Sequence, residues 1–121
     1  MSKTAIVILS DPKASHDEAL GRVFNALAAA YDFKNEGEDV KIVFQGTGTR
    51  WPEQLDKADH PVHALFQAVK DKVEGVSSGC AVVFGAEASG YDLLTDNKVP
   101  GTAGLPSFLK LRKDGYNVLI F

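Results

Sequence analysis

The chain has 121 residues, 45% of them hydrophobic, which is the size and apolar content of one domain, residues 1–121, around a single core. Its net charge of −3, with no stretch that concentrates Lys and Arg, excludes the basic face that nucleic-acid phosphates require. No apolar run approaches the ~18 residues of a membrane span. Met1-Ser2-Lys3 leads straight into a strand-like segment without a signal-peptide pattern, so a cytoplasmic protein with no membrane partner is expected.

Thr4 to Leu9 is a continuous apolar, β-branched run, the pattern of a strand covered on both faces, and Ser10-Asp11-Pro12 ends it. Ser15 with Glu18 three residues on predicts a capping box at the start of a helix. Leu20, Phe24, Leu27 and Tyr31 form its apolar stripe, and Gly37 provides the stop. In the next strand Val40, Ile42 and Phe44 alternate with Lys41 and Val43. A charge on one face predicts a position at or near a sheet edge. The loop Gly46-Thr47-Gly48-Thr49-Arg50-Trp51-Pro52 follows. A long helix is predicted from Asp59-His60-Pro61, with Val62, Leu65, Phe66, Val69 and Val73 facing inward and Gly75 at its end.

The segment from Gly75 to Ala86 has two readings. Periodicity alone puts a strand at Ala81–Phe84; the competitor is a strand over Gly75–Gly79 that turns into a helix at Cys80. Lys98-Val99-Pro100 is a further short strand candidate. Leu105-Pro106 opens the last predicted helix, with Phe108 and Leu109 inward, and Tyr116–Phe121 reads as a final buried strand.

Strands and helices alternating through short links predict an α/β fold with a mostly parallel five-strand sheet covered on both faces. In such sheets ligands sit outside the carboxyl ends of the strands. That rule nominates Ser10 and Asp11, the Gly46–Trp51 loop, and whatever follows the third strand. Gly46, Thr47, Gly48, Thr49 and Arg50 are candidates to cradle an anion with backbone N–H groups and a guanidinium. The alternative is a turn packed by Trp51. The loop is not a dinucleotide fingerprint, because Trp51 occupies the third glycine position, and it is not a P-loop. His16, His60 and His63 all fall near helix starts, but their spacing without a wider ligand set does not make a zinc site, and no metal is expected.

Several stretches together resemble the DsrE/DsrF-like (YchN-like) family. They are Leu20-Gly21-Arg22-Val23 with Asn25-Ala26-Leu27, Val43 to Trp51, Val73-Glu74-Gly75, Cys80 to Gly85, Leu105-Pro106-Ser107, and Gly115 to Phe121. The resemblance implies a three-layer flavodoxin-like domain, assembly into homotrimers or homohexamers, and no cofactor. The family's best-known members relay sulfur as a cysteine persulfide on a cysteine that follows the third strand. Cys80, the single cysteine of the chain, is the residue that matches, and this favours the strand that ends near Gly79. Two positions depart from the pattern. Phe84-Gly85 stands where sulfur-relay members carry Arg-Gly, and Ser77 stands where related sequences often have a second cysteine.

A lone cysteine suits sulfur carriage and counts against disulfide oxidoreduction, which needs a resolving thiol. It also fits a buried hydrophobe with no chemistry. The functional expectation is persulfide carriage on Cys80, with a sulfur donor or acceptor protein as partner. Asp11 and Gly46–Arg50 would line the site, and Arg50 would offset the persulfide charge. The alternative is a non-catalytic module of the same family that binds a small ligand or serves as an accessory homo-oligomer.

Overall fold

The computed structural model describes residues 2–121. Five strands form one sheet, in which every pairing between strands is parallel: β1 (Lys3–Ile8), β2 (Asp39–Phe44), β3 (Val73–Ser77), β4 (Leu93–Leu94) and β5 (Asn117–Ile120), in the order β4-β3-β2-β1-β5. The helices are α1 (His16–Asn35), α2 (Trp51–Leu55), α3 (His63–Val69), α4 (Ser78–Val83) and α5 (Phe108–Lys113).

The apolar run of β1 is buried from Thr4 to Ile8, as the unbroken pattern requires. Ile6 and Ile8 join Ile42, Phe44 and Val76 on the face covered by α1 and α3, with Val23, Leu27, Phe66 and Val69 packed against them. The other face is a thinner layer, where Ala5, Leu111, Tyr116 and Val118 cluster under α5. The predicted α/β three-layer architecture is therefore present.

Position within the sheet differs from expectation at both ends. β2 is the central strand, not an edge, flanked by β1 and β3. Its Lys41 is accommodated because the α5 face is thin. The ammonium lies 4.9 Å from the centre of the Tyr116 ring and 3.4 Å from Glu74 Oε1, with the stem lying along the sheet. The C-terminal strand is an edge strand, and Leu119 and Ile120 are exposed rather than buried. Lys98–Pro100 forms no strand; Leu93–Leu94 supplies the pairing with β3 instead.

The helices depart in detail. α1 buries Ala19, Val23, Ala26, Leu27 and Ala30, and the three alanines let the helix lie close to the sheet. Phe24 and Tyr31 turn outward. Ser15 makes no side-chain cap, and Glu18 pairs with Arg22 rather than completing a capping box. The stop works as predicted: Gly37 has φ +74°, and the N–H of Glu38 reaches back to the carbonyl of Phe33. The expected long helix from Asp59 is shortened to α3, which starts at His63 and ends at Val69, so Val73 and Gly75 belong to β3; α2, over Trp51–Leu55, is a helix that the sequence did not predict. In α5 Leu111 faces inward, while Phe108 and Leu109 are exposed.

Candidate functional site

The carboxyl ends of parallel strands share one rim, so the segments after β1, β2 and β3 converge there. Of the two readings of Gly75–Ala86, the strand-then-helix form is observed. β3 ends at Ser77 and α4 starts at Ser78, two residues before Cys80. Cys80 is a partly exposed free thiol in the first turn of α4.

The start of α4 is fixed by side chain and loop. Ser77 Oγ accepts the Cys80 N–H at 3.3 Å, an N-cap bond. The Gly79 N–H donates to the Gly104 carbonyl at 2.7 Å. These two N–H groups near the sulfur are thus engaged within the protein, whereas a helix starting just after Cys80 would have left its first donors open. Beyond Cys80, Val82 and Val83 project outward with 73% and 70% of their surface exposed, a pair of large apolar side chains beside the thiol.

The segment after β2 is a tight 3-10 turn, Gly46–Arg50, continuous with α2. It packs against the end of β1. A Cβ on Gly48 would stand 2.1 Å from the Ile8 carbonyl oxygen, so only glycine allows that approach. Thr47 Oγ1 donates to the Leu9 carbonyl and Thr49 Oγ1 to the Gly46 carbonyl. Trp51 Nε1 donates to the carbonyl and hydroxyl of Ser10.

Arg50 links the three loops. Its Nη1 lies 3.2 Å from Asp11 Oδ1, and its Nε and Nη2 donate to the Phe84 carbonyl at 3.2 and 3.1 Å. Phe84 is the C-terminal cap residue of α4, and the guanidinium also lies 5.7 Å from the centre of its ring. One side chain therefore holds the end of the Cys80 helix against the loop after β1. Asp11 and Arg50, both predicted site residues, are brought together directly. Cys80 joins them through the length of α4 and makes no hydrogen bond to either among the described residues. The carbonyl of Phe84, the second partner of Arg50, is a backbone acceptor and so leaves no side-chain signal in the sequence.

A cavity of about 260 Å³ opens beside Arg50, between the start of α1, the Gly46–Arg50 turn and α2. His16 and His60 both line it. Burial holds the His60 imidazole below its ordinary pKa, and the neighbouring His16 and His63 act in the same direction, against Asp59. His63 lies apart, with Nδ1 2.8 Å from the Leu55 carbonyl. Among the described residues no group of three or more His, Cys, Asp or Glu side chains is placed to hold a metal ion. Also among them, no helix is long and apolar enough to cross a membrane.

Comparison with known proteins gives consistent answers. An uncharacterized protein of Methanocaldococcus jannaschii, MJ0733, is 29% identical over 98 residues, 80% of this chain and 78% of that protein. No solved structure gives a significant match. The DsrE/DsrF-like family model matches residues 2–121. The ordered motifs, the parallel five-strand sheet and this match agree, and the chain belongs to the DsrE/DsrF-like family.

Proposed function

We propose that the protein carries sulfur as a persulfide on Cys80. The observation that carries this reading is the placement of the chain's single cysteine, partly exposed, in the first turn after β3 at the rim where such sheets bind ligands. Membership of a family whose best-known members relay sulfur supports it.

In the proposed step the Cys80 thiolate attacks the outer sulfur of a donor persulfide, R–S–SH. The donor's S–S bond breaks, a new S–S bond forms on Cys80, and R–S⁻ leaves. An acceptor thiolate then attacks the outer sulfur of Cys80–S–SH and regenerates the Cys80 thiolate. Neither half is a net oxidation, so no redox partner or second cysteine is needed. Arg50, whose charge is matched by Asp11, serves in this reading as a positioning residue that holds α4 in place. The protein works as a homo-oligomer, trimer or hexamer. Val82 and Val83 on α4, Phe108 and Leu109 on α5, and Leu119 and Ile120 on the edge strand give a single chain more exposed apolar surface than a monomer keeps.

The test is sulfur loading. The protein is incubated with a low-molecular-weight persulfide donor and its intact mass is measured. One added sulfur atom per chain is expected, lost on reduction and absent in Cys80→Ser, whose fold and assembly stay unchanged. Alkylation of Cys80 at neutral pH should outpace that of a free thiol. A thiol that reacts only after unfolding, or loading that persists in Cys80→Ser, refutes the proposal. Light scattering that returns the 13.0 kDa of one chain refutes the oligomer.

A further inference from the structure

The cavity beside Arg50 has a composition that the sulfur-carrier reading does not use, because Cys80 is not on its lining. One wall is apolar, formed by Leu20, Trp51 and Pro61. The other presents hydrogen-bond donors. Lys13 lines it, and its ammonium forms no hydrogen bond or ion pair among the described residues. His16, the first residue of α1, lines the same wall; the partial positive charge of that helix start is offset by Asp17 and Glu18 in its first turn, so Lys13 and His60 are the donors the cavity offers.

His60 is set up as a donor too. Its Nδ1 accepts the Val62 N–H at 3.1 Å, which leaves the ring proton of the neutral imidazole on Nε2. The neutral ring is the favoured form because burial disfavours its charge. The charges around this histidine are Asp59, His16, His63 and Lys57. Glu53 is the one acid on the cavity lining, and it is exposed, where water screens it. The guanidinium of Arg50 is already matched by Asp11, so Lys13 is the uncommitted full charge.

We infer that this cavity is a binding site for a small monocarboxylate with a short apolar body. The carboxylate would sit against Lys13 and His60, and the apolar body against Leu20, Trp51 and Pro61. The volume of about 260 Å³ equals roughly nine waters at ~30 Å³ each, which suits a ligand of a few carbon atoms. The site stands independently of Cys80, so failure of one reading leaves the other in place.

Trp51 is the only tryptophan of the chain, so its fluorescence reports on this cavity alone. The full chain is titrated with butyrate in chloride-free buffer, with butan-1-ol, butylamine and inorganic phosphate as controls for the head group and the tail. Butyrate should give a saturable change at an affinity about tenfold above each control. Lys13→Ala, at an exposed position, should weaken butyrate binding about tenfold, as loss of a charge-assisted bond implies. Glu53→Gln should tighten it, and Cys80→Ser should bind as the parent does. The inference is overturned if butyrate gives no saturable change, if butan-1-ol, butylamine or phosphate binds as well as butyrate, or if Lys13→Ala titrates like the parent.

Discussion

Replacing Arg50 with methionine removes the tie between α4 and the loop after β1 while keeping most of the side-chain volume. Two of its nitrogens share the Phe84 carbonyl at 3.2 and 3.1 Å, a charged donor on a neutral acceptor worth about 1–2 kcal/mol. The pair with Asp11 is about one-quarter exposed on each side, so solvent screening limits it to about 0.5–1 kcal/mol. The expected loss is about 2 kcal/mol. At ~2.1 cal/mol/K per residue, this lowers the melting temperature by about 8 °C. Native-state hydrogen exchange localises the effect. The amides of Phe84, Gly85 and Ala86, bonded to the carbonyls of Cys80, Val82 and Ala81, should exchange faster in Arg50→Met, with the amides of β1 and β2 changing only by the global loss. A double-mutant cycle with Asp11→Ala should return a coupling of about 0.5–1 kcal/mol that shrinks in salt. A loss below ~0.5 kcal/mol, or unchanged exchange at 84–86, would show that Arg50 does not hold α4.

Three further outcomes follow from the same rim and from the opposite face. Gly48→Ala drives a methyl group to within 2.1 Å of the Ile8 carbonyl and should cost about 1–3 kcal/mol in urea unfolding; an unchanged midpoint would refute the close approach. His60 has a folded pKa below its unfolded value, so the native state binds fewer protons than the unfolded chain. Its contribution is complete above pH ~6.5 and falls away as pH drops through that value towards the folded pKa. His60→Gln should flatten that slope, and an NMR titration placing His60 at or above the free value would refute the assignment. Burial, then the hydrogen bond to Asp39, pushes the Tyr116 phenol up to about 12. Its stabilising contribution is therefore present below pH ~10 and lost as pH rises through 12, and ultraviolet titration of Tyr116→Phe against the parent should remove one of two late-ionising steps, the other being that of Tyr91, which burial and Asp56 also push up.

Much of the site was legible because local chemistry dictated it. The Gly-Thr-Gly-Thr-Arg run announced a tight segment after a strand, and the rule of carboxyl rims placed it beside Asp11. The function of Arg50 was less legible: the sequence offered a free cation, and the folded chain commits it to Asp11 and to a backbone carbonyl 34 residues away. The pocket lined by Lys13, His16 and His60 was visible only as histidines near helix starts, since lining a common cavity is a property of three segments that meet in space.

The sequence by itself determined the class of fold, the buried first strand and the helix stop at Gly37, while the position of Cys80 after the third strand was left between two readings that the family resemblance inclined and the structure decided. The first three follow from periodicity and from glycine's access to positive φ, both of which act within a few residues. Only the tertiary structure decided the order of the strands. Lys41 marked β2 as a strand at or near an edge, yet β2 is central because Tyr116 and Glu74, distant in sequence, receive the ammonium. The apolar C-terminal strand looked buried, yet it is an edge that pairs with β1 alone. Hydrophobic pattern records how much surface a strand hides, whereas strand order records which crossover each helix makes; a face covered by one short helix leaves the two free to disagree.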